Sequence, residues 1–150
     1  MRKFLYILIS ALAFASCSMS DDDAPAGDLI VRAGDRVPSF TVIMNDNTQF
    51  TTSNLGGKPC VIVFFSTTCA DCRRELPVID QRYRAHGADT TFVAIAREQA
   101  AADIAAYWEA NDLLLPFSPQ EDREVYALFA KSGIPRVITV NSRGVIESCR

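Results

Sequence analysis

Residues 60–77 read CVIVFFSTTCADCRRELP, an apolar run that leads into two closely spaced cysteines. Residues 61–65 form an unbroken series of β-branched and aromatic residues, which is typical of a strand buried on both faces of a sheet. Residues 73–84 then carry apolar side chains three or four positions apart, the spacing of a helix. The sequence therefore predicts that Cys69 and Cys72 lie where a central strand passes into a helix.

A cysteine in that position is favoured as a thiolate. Residues 66–68, Ser-Thr-Thr, are expected to supply the turn and the helix N-cap. Unpaired backbone N–H groups and the positive end of the helix dipole favour an anion there, and the thiolate is the form that attacks disulfides. Cys72 follows one helical turn later, within disulfide-forming reach of Cys69. We therefore expect Cys69 to be the nucleophile and Cys72 the resolving thiol.

Zinc binding and a purely structural disulfide are the alternatives for this pair. Zinc sites usually take four ligands, whereas the chain has one such pair and a single histidine, His86. No metal is therefore expected. A structural disulfide fits poorly at a strand-to-helix junction, because that environment makes a thiol reactive.

The cysteine pair and the residues after it resemble a known motif. A CxxC after a buried strand, continued by RRELP at 73–77, resembles the thioredoxin fold and is similar to the TlpA/ResA-like thiol-disulfide oxidoreductases, of the AhpC/TSA-redoxin superfamily. Their signature continues C-x-x-C-[RK]-x-E-x-P. The resemblance extends from Gly34 to Glu147, and it implies a redox-active disulfide with no metal or organic cofactor.

The patterns outside this stretch predict an α/β sandwich with a mixed sheet. Trp108 is expected in the core, because it lies on the apolar side of its predicted helix. The resemblance implies a three-layer thioredoxin-like sandwich with an N-terminal hairpin extension. The sequence departs from the family in having no counterpart of the usual C-terminal helix, either because the protein lacks it or because the sequence is truncated. Strands are predicted at 41–44, 48–51, 91–96, 113–117, 137–140 and 145–148, and further helices at 99–110 and 122–131.

A second part of the site is predicted around Pro135. A proline that opens a strand invites a cis peptide bond. The resemblance implies that this loop faces the CxxC and forms the substrate groove, so Ile134 and Pro135 are expected to bind substrate. The Ile134 backbone would pair with an extended substrate segment. Arg136 stands where a small polar residue is more usual, which is expected to alter substrate choice.

Two acidic residues are expected to influence the cysteines. The resemblance implies that Glu75, one turn beyond Cys72, assists proton transfer, whereas an exposed glutamate in the first helical turn is the alternative. Asp71 places negative charge beside a Cys69 thiolate, and the two arginines after Cys72 oppose it. A less stabilised thiolate predicts a more reducing couple, nearer thioredoxin than the strongly oxidising DsbA type.

The N-terminus is expected to be a targeting segment. Two basic residues precede an apolar stretch at 4–15 that is too short to span a bilayer, and the sequence ASC then ends at Cys17. This resembles the lipobox of bacterial lipoproteins, and an ordinary signal peptide is the alternative. We expect a signal peptide at 1–16, an acidic flexible tether at 17–33 that begins with lipidated Cys17, and a thioredoxin-like domain at 34–150.

The predicted function is that of a membrane-anchored thiol-disulfide oxidoreductase in the bacterial cell envelope, facing the periplasm or the cell surface. Its expected partners are protein disulfides and an unidentified electron donor, for example a membrane thiol reductase. Nucleic acid is not expected, because the net charge is −3 and basic residues do not cluster. A peroxiredoxin-like peroxidase is one alternative, since Ser66 lies three residues before Cys69, and a non-catalytic binding module is another.

The two cysteines outside these motifs are not assigned to the site. Cys60 opens the predicted central strand and is expected to be a small core residue. Cys149 is expected to be an exposed thiol. A bridge between them is not expected, because the thioredoxin topology would place another strand between theirs.

Overall fold

The computed structural model describes residues 28–150. The predicted signal peptide, Cys17 and most of the predicted tether therefore lie outside the described residues. Within residues 28–150, no helix is long and apolar enough to cross a membrane. The helices are α1 (Ala70–His86), α2 (Ala101–Ala110) and α3 (Glu124–Ala127). The strands are β1 (Thr41–Ile43), β2 (Gln49–Thr51), β3 (Cys60–Phe65), β4 (Thr91–Ala96), β5 (Phe117–Ser118), β6 (Arg136–Val140) and β7 (Ile146–Cys149).

Five of the strands form one mixed sheet in the order β5-β4-β3-β6-β7. The apolar run that precedes the two cysteines forms β3, the central strand. It pairs parallel with β4 and antiparallel with β6. β1 and β2 form a separate antiparallel hairpin, as predicted. The predicted α/β class and mixed sheet are confirmed.

Apolar layers cover both faces of the sheet. On one face, α1 and α2 contribute Leu76, Ile79, Ile104 and Trp108 to a core with Val63 and Phe65. On the other face, α3 and the segments around it pack on Phe64 and Ile62 through Tyr126, Phe129, Phe40 and Val31. Trp108 is buried as predicted, and its indole N–H donates to the Leu115 carbonyl at 2.8 Å.

The strand predicted at 113–117 is wrong in its position. Only Phe117–Ser118 pairs with β4, as β5. The backbone N–H groups of Leu114 and Leu115 both donate to Asp80 Oδ1 at 2.7 Å. These two N–H groups are therefore bonded to a side chain of α1 and are not available for pairing with a neighbouring strand.

The helix predicted at 122–131 is wrong in its length, because α3 ends at Ala127. The backbone beyond it pairs with the N-terminal segment: Ile30 N–H donates to the Phe129 carbonyl and Lys131 N–H to the Asp28 carbonyl, both at 2.8 Å. Val31 is only 6% exposed. Residues 28–31, in the predicted tether, are therefore packed against the domain.

The two remaining cysteines lie on different strands. Cys60 is buried on β3, and burial raises the pKa of its thiol to about 12. Cys149 lies on β7, with β6 between the two strands, so the expected separation is confirmed. Cys149 is half-buried rather than fully exposed, since it packs against the core and its Sγ lies 3.7 Å from the Val31 carbonyl oxygen.

Candidate active site

The N-terminus of α1 is formed by Cys69 itself. Cys69 is the N-cap residue, with extended backbone angles, and its Sγ accepts a hydrogen bond from the Cys72 N–H at 3.5 Å. The N-cap role expected for residues 66–68 is therefore filled by the cysteine. Those residues form the preceding turn, in which Cys69 N–H donates to the Ser66 carbonyl at 3.2 Å. The Cys69 sulfur thus lies at the positive end of the helix dipole.

The two thiols of the motif have different surroundings. Cys72 is fully buried, and the pKa of its thiol is raised to about 12, mainly by that burial and in smaller part by neighbouring Cys69. Cys69 is partly exposed. An accessible sulfur at the helix terminus and a shielded one a turn below it match the expected order of attack, with Cys69 first.

This difference predicts a selective alkylation pattern. A thiol with a pKa near 12 is ionised in about one molecule in ten thousand at pH 8, against about one in four for a free cysteine with a pKa near 8.5. Iodoacetamide at pH 8 should therefore modify Cys69 at least about a hundred times faster than Cys72. The rate at Cys72 should rise with pH up to about 12. Peptide mass spectrometry measures both rates, and equal rates at pH 8 would contradict the assignment.

The loop before β6 closes the other side of the site. The Ile134–Pro135 peptide bond is cis, and both residues are half-buried. The Ile134 carbonyl oxygen lies 3.5 Å from Cys69 Sγ. The structure thus places the loop of Ile134 and Pro135 beside Cys69, where the family resemblance implied it; binding of a substrate by these residues stays a prediction.

The predicted proton acceptor, Glu75, pairs with the end of the chain. Its Oε2 lies 3.2 Å from Nη2 of Arg150, and its side chain is 31% exposed. Arg150 is held beside β6 by backbone hydrogen bonds to Val137. Glu75 is therefore neither buried nor fully exposed, and its ion pair links α1 to the residue that follows β7.

The charges between and after the cysteines are arranged differently from expectation. Asp71 forms an exposed ion pair with Arg74. Arg73 instead donates from Nε to the Thr67 carbonyl, and its guanidinium lies 6.0 Å from the Tyr107 ring centroid. Only one of the two arginines therefore offsets the Asp71 charge directly, and the other fastens α1 to the turn before it.

Comparison with known proteins agrees with this architecture. The profile of the AhpC/TSA family matches residues 33–148, most of the described domain. The chain belongs to the AhpC/TSA family.

The chain is similar to proteins that are named as thiol-disulfide oxidoreductases. Thiol-disulfide oxidoreductase ResA of Oceanobacillus iheyensis is 28% identical over 152 residues, covering 97% of this chain and 76% of the relative. The Bacillus subtilis protein of the same name is 22% identical over 145 residues, covering 95% and 78%. A candidate protein disulfide isomerase from Bacteroides thetaiotaomicron, solved in solution, superposes with a TM-score of 0.77 at 27% identity, covering 82% of this chain and 80% of the other. The fold is thioredoxin-like, and the chain is a thiol-disulfide oxidoreductase.

The sequence did not reveal one residue of the candidate site, Gln99. The Gln99 side chain is buried and clamps the turn before Cys69, since its Oε1 accepts from Thr67 N–H at 2.9 Å and its Nε2 donates to the Thr67 hydroxyl. The sequence suggested only that Gln99 opens a helix, whereas α2 begins at Ala101. The contact joins residues 32 positions apart, and no local pattern marks it.

Proposed function

We propose that this enzyme reduces the disulfides of protein clients outside the cytoplasm, through the dithiol of Cys69 and Cys72. One observation carries the proposal: Cys69 Sγ lies at a helix N-terminus, 3.5 Å from the Cys72 backbone nitrogen and 3.5 Å from the Ile134 carbonyl oxygen. Cys69 Sγ thus lies beside both a second cysteine and a half-buried backbone segment of the kind that can pair with an extended client.

The first half of the reaction is a thiol-disulfide exchange at Cys69. The Cys69 thiolate attacks one sulfur of the client disulfide, the client S–S bond breaks, and the departing client sulfur takes up a proton. A mixed disulfide then joins Cys69 to the client. The Ile134 backbone and the Pro135 ring form the groove that holds the client beside Cys69 during this step.

The second half releases the client. Cys72 loses its proton and attacks Cys69 Sγ, so that a Cys69–Cys72 disulfide forms and the client leaves as a thiol. The raised pKa of Cys72, about 12, keeps it protonated until that moment. Glu75, one turn further along α1, is the proposed proton acceptor, with Arg150 holding its carboxylate in place.

Together, these two steps transfer two electrons and two protons to the client and leave the enzyme with a Cys69–Cys72 disulfide. A dithiol donor must then reduce the Cys69–Cys72 disulfide, and a membrane thiol reductase is the class of partner we propose. The scheme needs no metal or organic cofactor. The exposed pair of Asp71 with Arg74 offsets the charge of one of the two arginines near Cys69, and the weaker stabilisation of a thiolate there is in keeping with a reducing couple.

The proposed location is the bacterial cell envelope, with attachment through lipidated Cys17. The basic residues, apolar stretch and small residues before Cys17 support this part. Acyl chains on one cysteine would hold the domain at a membrane surface. Separation of membrane and soluble fractions of the producing cell tests it, and full recovery in the soluble fraction would oppose the anchor.

Reduction of insulin by dithiothreitol tests the proposed activity. The wild-type domain should accelerate insulin reduction, and Cys69→Ser should lower that acceleration by at least about a thousandfold, because it removes the attacking sulfur. Cys149→Ser is the matched control and should retain the rate. Absence of acceleration by the wild type, together with rapid thiol-dependent consumption of hydrogen peroxide, would support the peroxidase alternative instead.

A further inference from the structure

The first residue of β6 is a buried arginine with few partners. Arg136 follows Pro135 directly and is 0% exposed. It lies opposite Phe64 of β3, so its side chain enters the apolar layer on the α3 side of the sheet. Within residues 28–150, its Nη2 donates to the Ser132 carbonyl at 2.7 Å, whereas Nε and Nη1 have no hydrogen-bond partner. The side chain is too deeply buried to contact a client directly, so an effect on substrate choice, which the sequence predicts, has to act through other residues.

A cation in this position lowers the stability of the fold. Burying a charged group is unfavourable unless it is paired and fully hydrogen-bonded, and Arg136 forms no ion pair among the described residues. An apolar side chain of similar length would fill the same space without that cost. Stability therefore does not explain why an arginine occupies this position. Its single hydrogen bond joins it to the loop before β6.

The loop passes directly over the guanidinium. Gly133 has a φ of +83°, and a Cβ atom added to it would lie 2.7 Å from Arg136 Nη2. Only glycine allows so close an approach with this backbone conformation. The Tyr126 hydroxyl donates to the Gly133 carbonyl at 2.7 Å, from a side chain that is 1% exposed. Two buried side chains therefore fix this short segment from beneath.

Three successive carbonyls of the loop have three separate partners. The Ser132 carbonyl accepts from Arg136, the Gly133 carbonyl from Tyr126, and the Ile134 carbonyl from the Cys69 thiol. The first two bonds fix the direction of the backbone, and so determine where the third carbonyl points. The position of Ile134 beside the reactive sulfur thus depends on two side chains that no client can touch.

We propose that Arg136 and Tyr126 are positioning residues that set the preference of the site for extended protein disulfides over small ones. The inference rests on the proposed function. A protein client gains main-chain hydrogen bonds at Ile134, whereas a small disulfide needs only the Cys69 thiolate. Loosening the loop should therefore weaken the reaction with protein clients far more than the reaction with small disulfides.

Arg136→Met provides the main test, with insulin and 5,5′-dithiobis(2-nitrobenzoate) as the two substrates. The value of kcat/KM should fall about tenfold for insulin, chiefly through KM, and by about twofold or less for the small disulfide. The midpoint of thermal unfolding should stay the same or rise, because a buried unpaired cation is removed. Arg32→Met, at an exposed arginine, is the matched control and should leave both rates and the midpoint at their wild-type values.

Equal falls for the two substrates would overturn the inference, since a general effect of the cation on the Cys69 thiolate would act on both. A lower unfolding midpoint with an unchanged substrate ratio would also overturn it, because that result describes a purely structural arginine.

Tyr126→Phe provides a second test that keeps the folded core. It removes one hydroxyl and leaves the ring against Phe64, at 5.5 Å between centroids. The preference for insulin should fall in the same direction, by about threefold, as expected for one lost hydrogen bond. If the ratio of kcat/KM for insulin to that for the small disulfide is unchanged in both variants, the positioning role is overturned and the proposed function is not. A wild-type domain that reduces neither substrate overturns the proposed function, and this inference with it.

Discussion

Replacing Cys72 with serine is expected to lower the turnover of insulin by at least about a thousandfold and to leave the client covalently attached to Cys69. Without a second thiol, the mixed disulfide has no intramolecular route to release. The first step should survive, because the cap of α1 uses the backbone N–H of residue 72 rather than its side chain. Serine also replaces the buried thiol with a group of nearly the same size.

The trapped complex is measured by non-reducing electrophoresis and by mass spectrometry of the linked peptides. Adding Cys69→Ser to this variant should abolish capture, whereas adding Cys149→Ser should leave it intact. Near wild-type turnover by Cys72→Ser, with no trapped species, would contradict the two-step scheme. That result would mean that the second cysteine has no chemical role in the reaction.

Replacing Asp80 with alanine is expected to lower the free energy of unfolding by about 3 kcal/mol. Asp80 is 4% exposed, and its Oδ1 accepts from the N–H groups of Leu114 and Leu115, while its Oδ2 accepts from Arg84 Nε at 2.6 Å. Alanine would leave two backbone donors of the loop without a partner. A loss of that size is a large share of the stability of an ordinary domain, about 5–15 kcal/mol.

Guanidinium unfolding measures this change, and two variants separate its parts. Arg84→Ala should cost less than about 1 kcal/mol, because the Arg84 side chain is 40% exposed and its ion pair is screened by solvent. Asp80→Asn should cost less than alanine, since it keeps one oxygen for the loop donors. A loss below about 1 kcal/mol for Asp80→Ala would show that water replaces the carboxylate easily.

Local signals in the sequence were enough to predict the centre of the molecule. The run at 61–65 is typical of a buried strand, and the helical spacing after Cys72 places the cysteine pair at the end of that strand. Pro135, at the opening of a strand, marks a special backbone conformation by its residue type and position. These features depend on near neighbours in the chain, so the sequence shows them directly.

The features that were missed depend on contacts between distant parts of the chain. Asp80 takes the backbone donors of a loop 34 and 35 residues away, which removes the predicted strand there. Gln99 reaches the turn before Cys69 across 32 residues. Arg136 is buried although arginine is rarely so, and residue type therefore predicts the opposite environment. Burial of this kind becomes visible only when the sheet and its covering segments are assembled.

The most direct test of the central claim is an equilibrium titration of the purified protein in glutathione buffers of defined redox ratio, followed by peptide mass spectrometry. We expect one reversible disulfide that joins Cys69 to Cys72, with a potential nearer that of thioredoxin, about −270 mV, than that of DsbA, about −120 mV. Cys60 and Cys149 should remain thiols throughout. Cysteines 69 and 72 that never join, at any ratio of the buffer, would contradict the account.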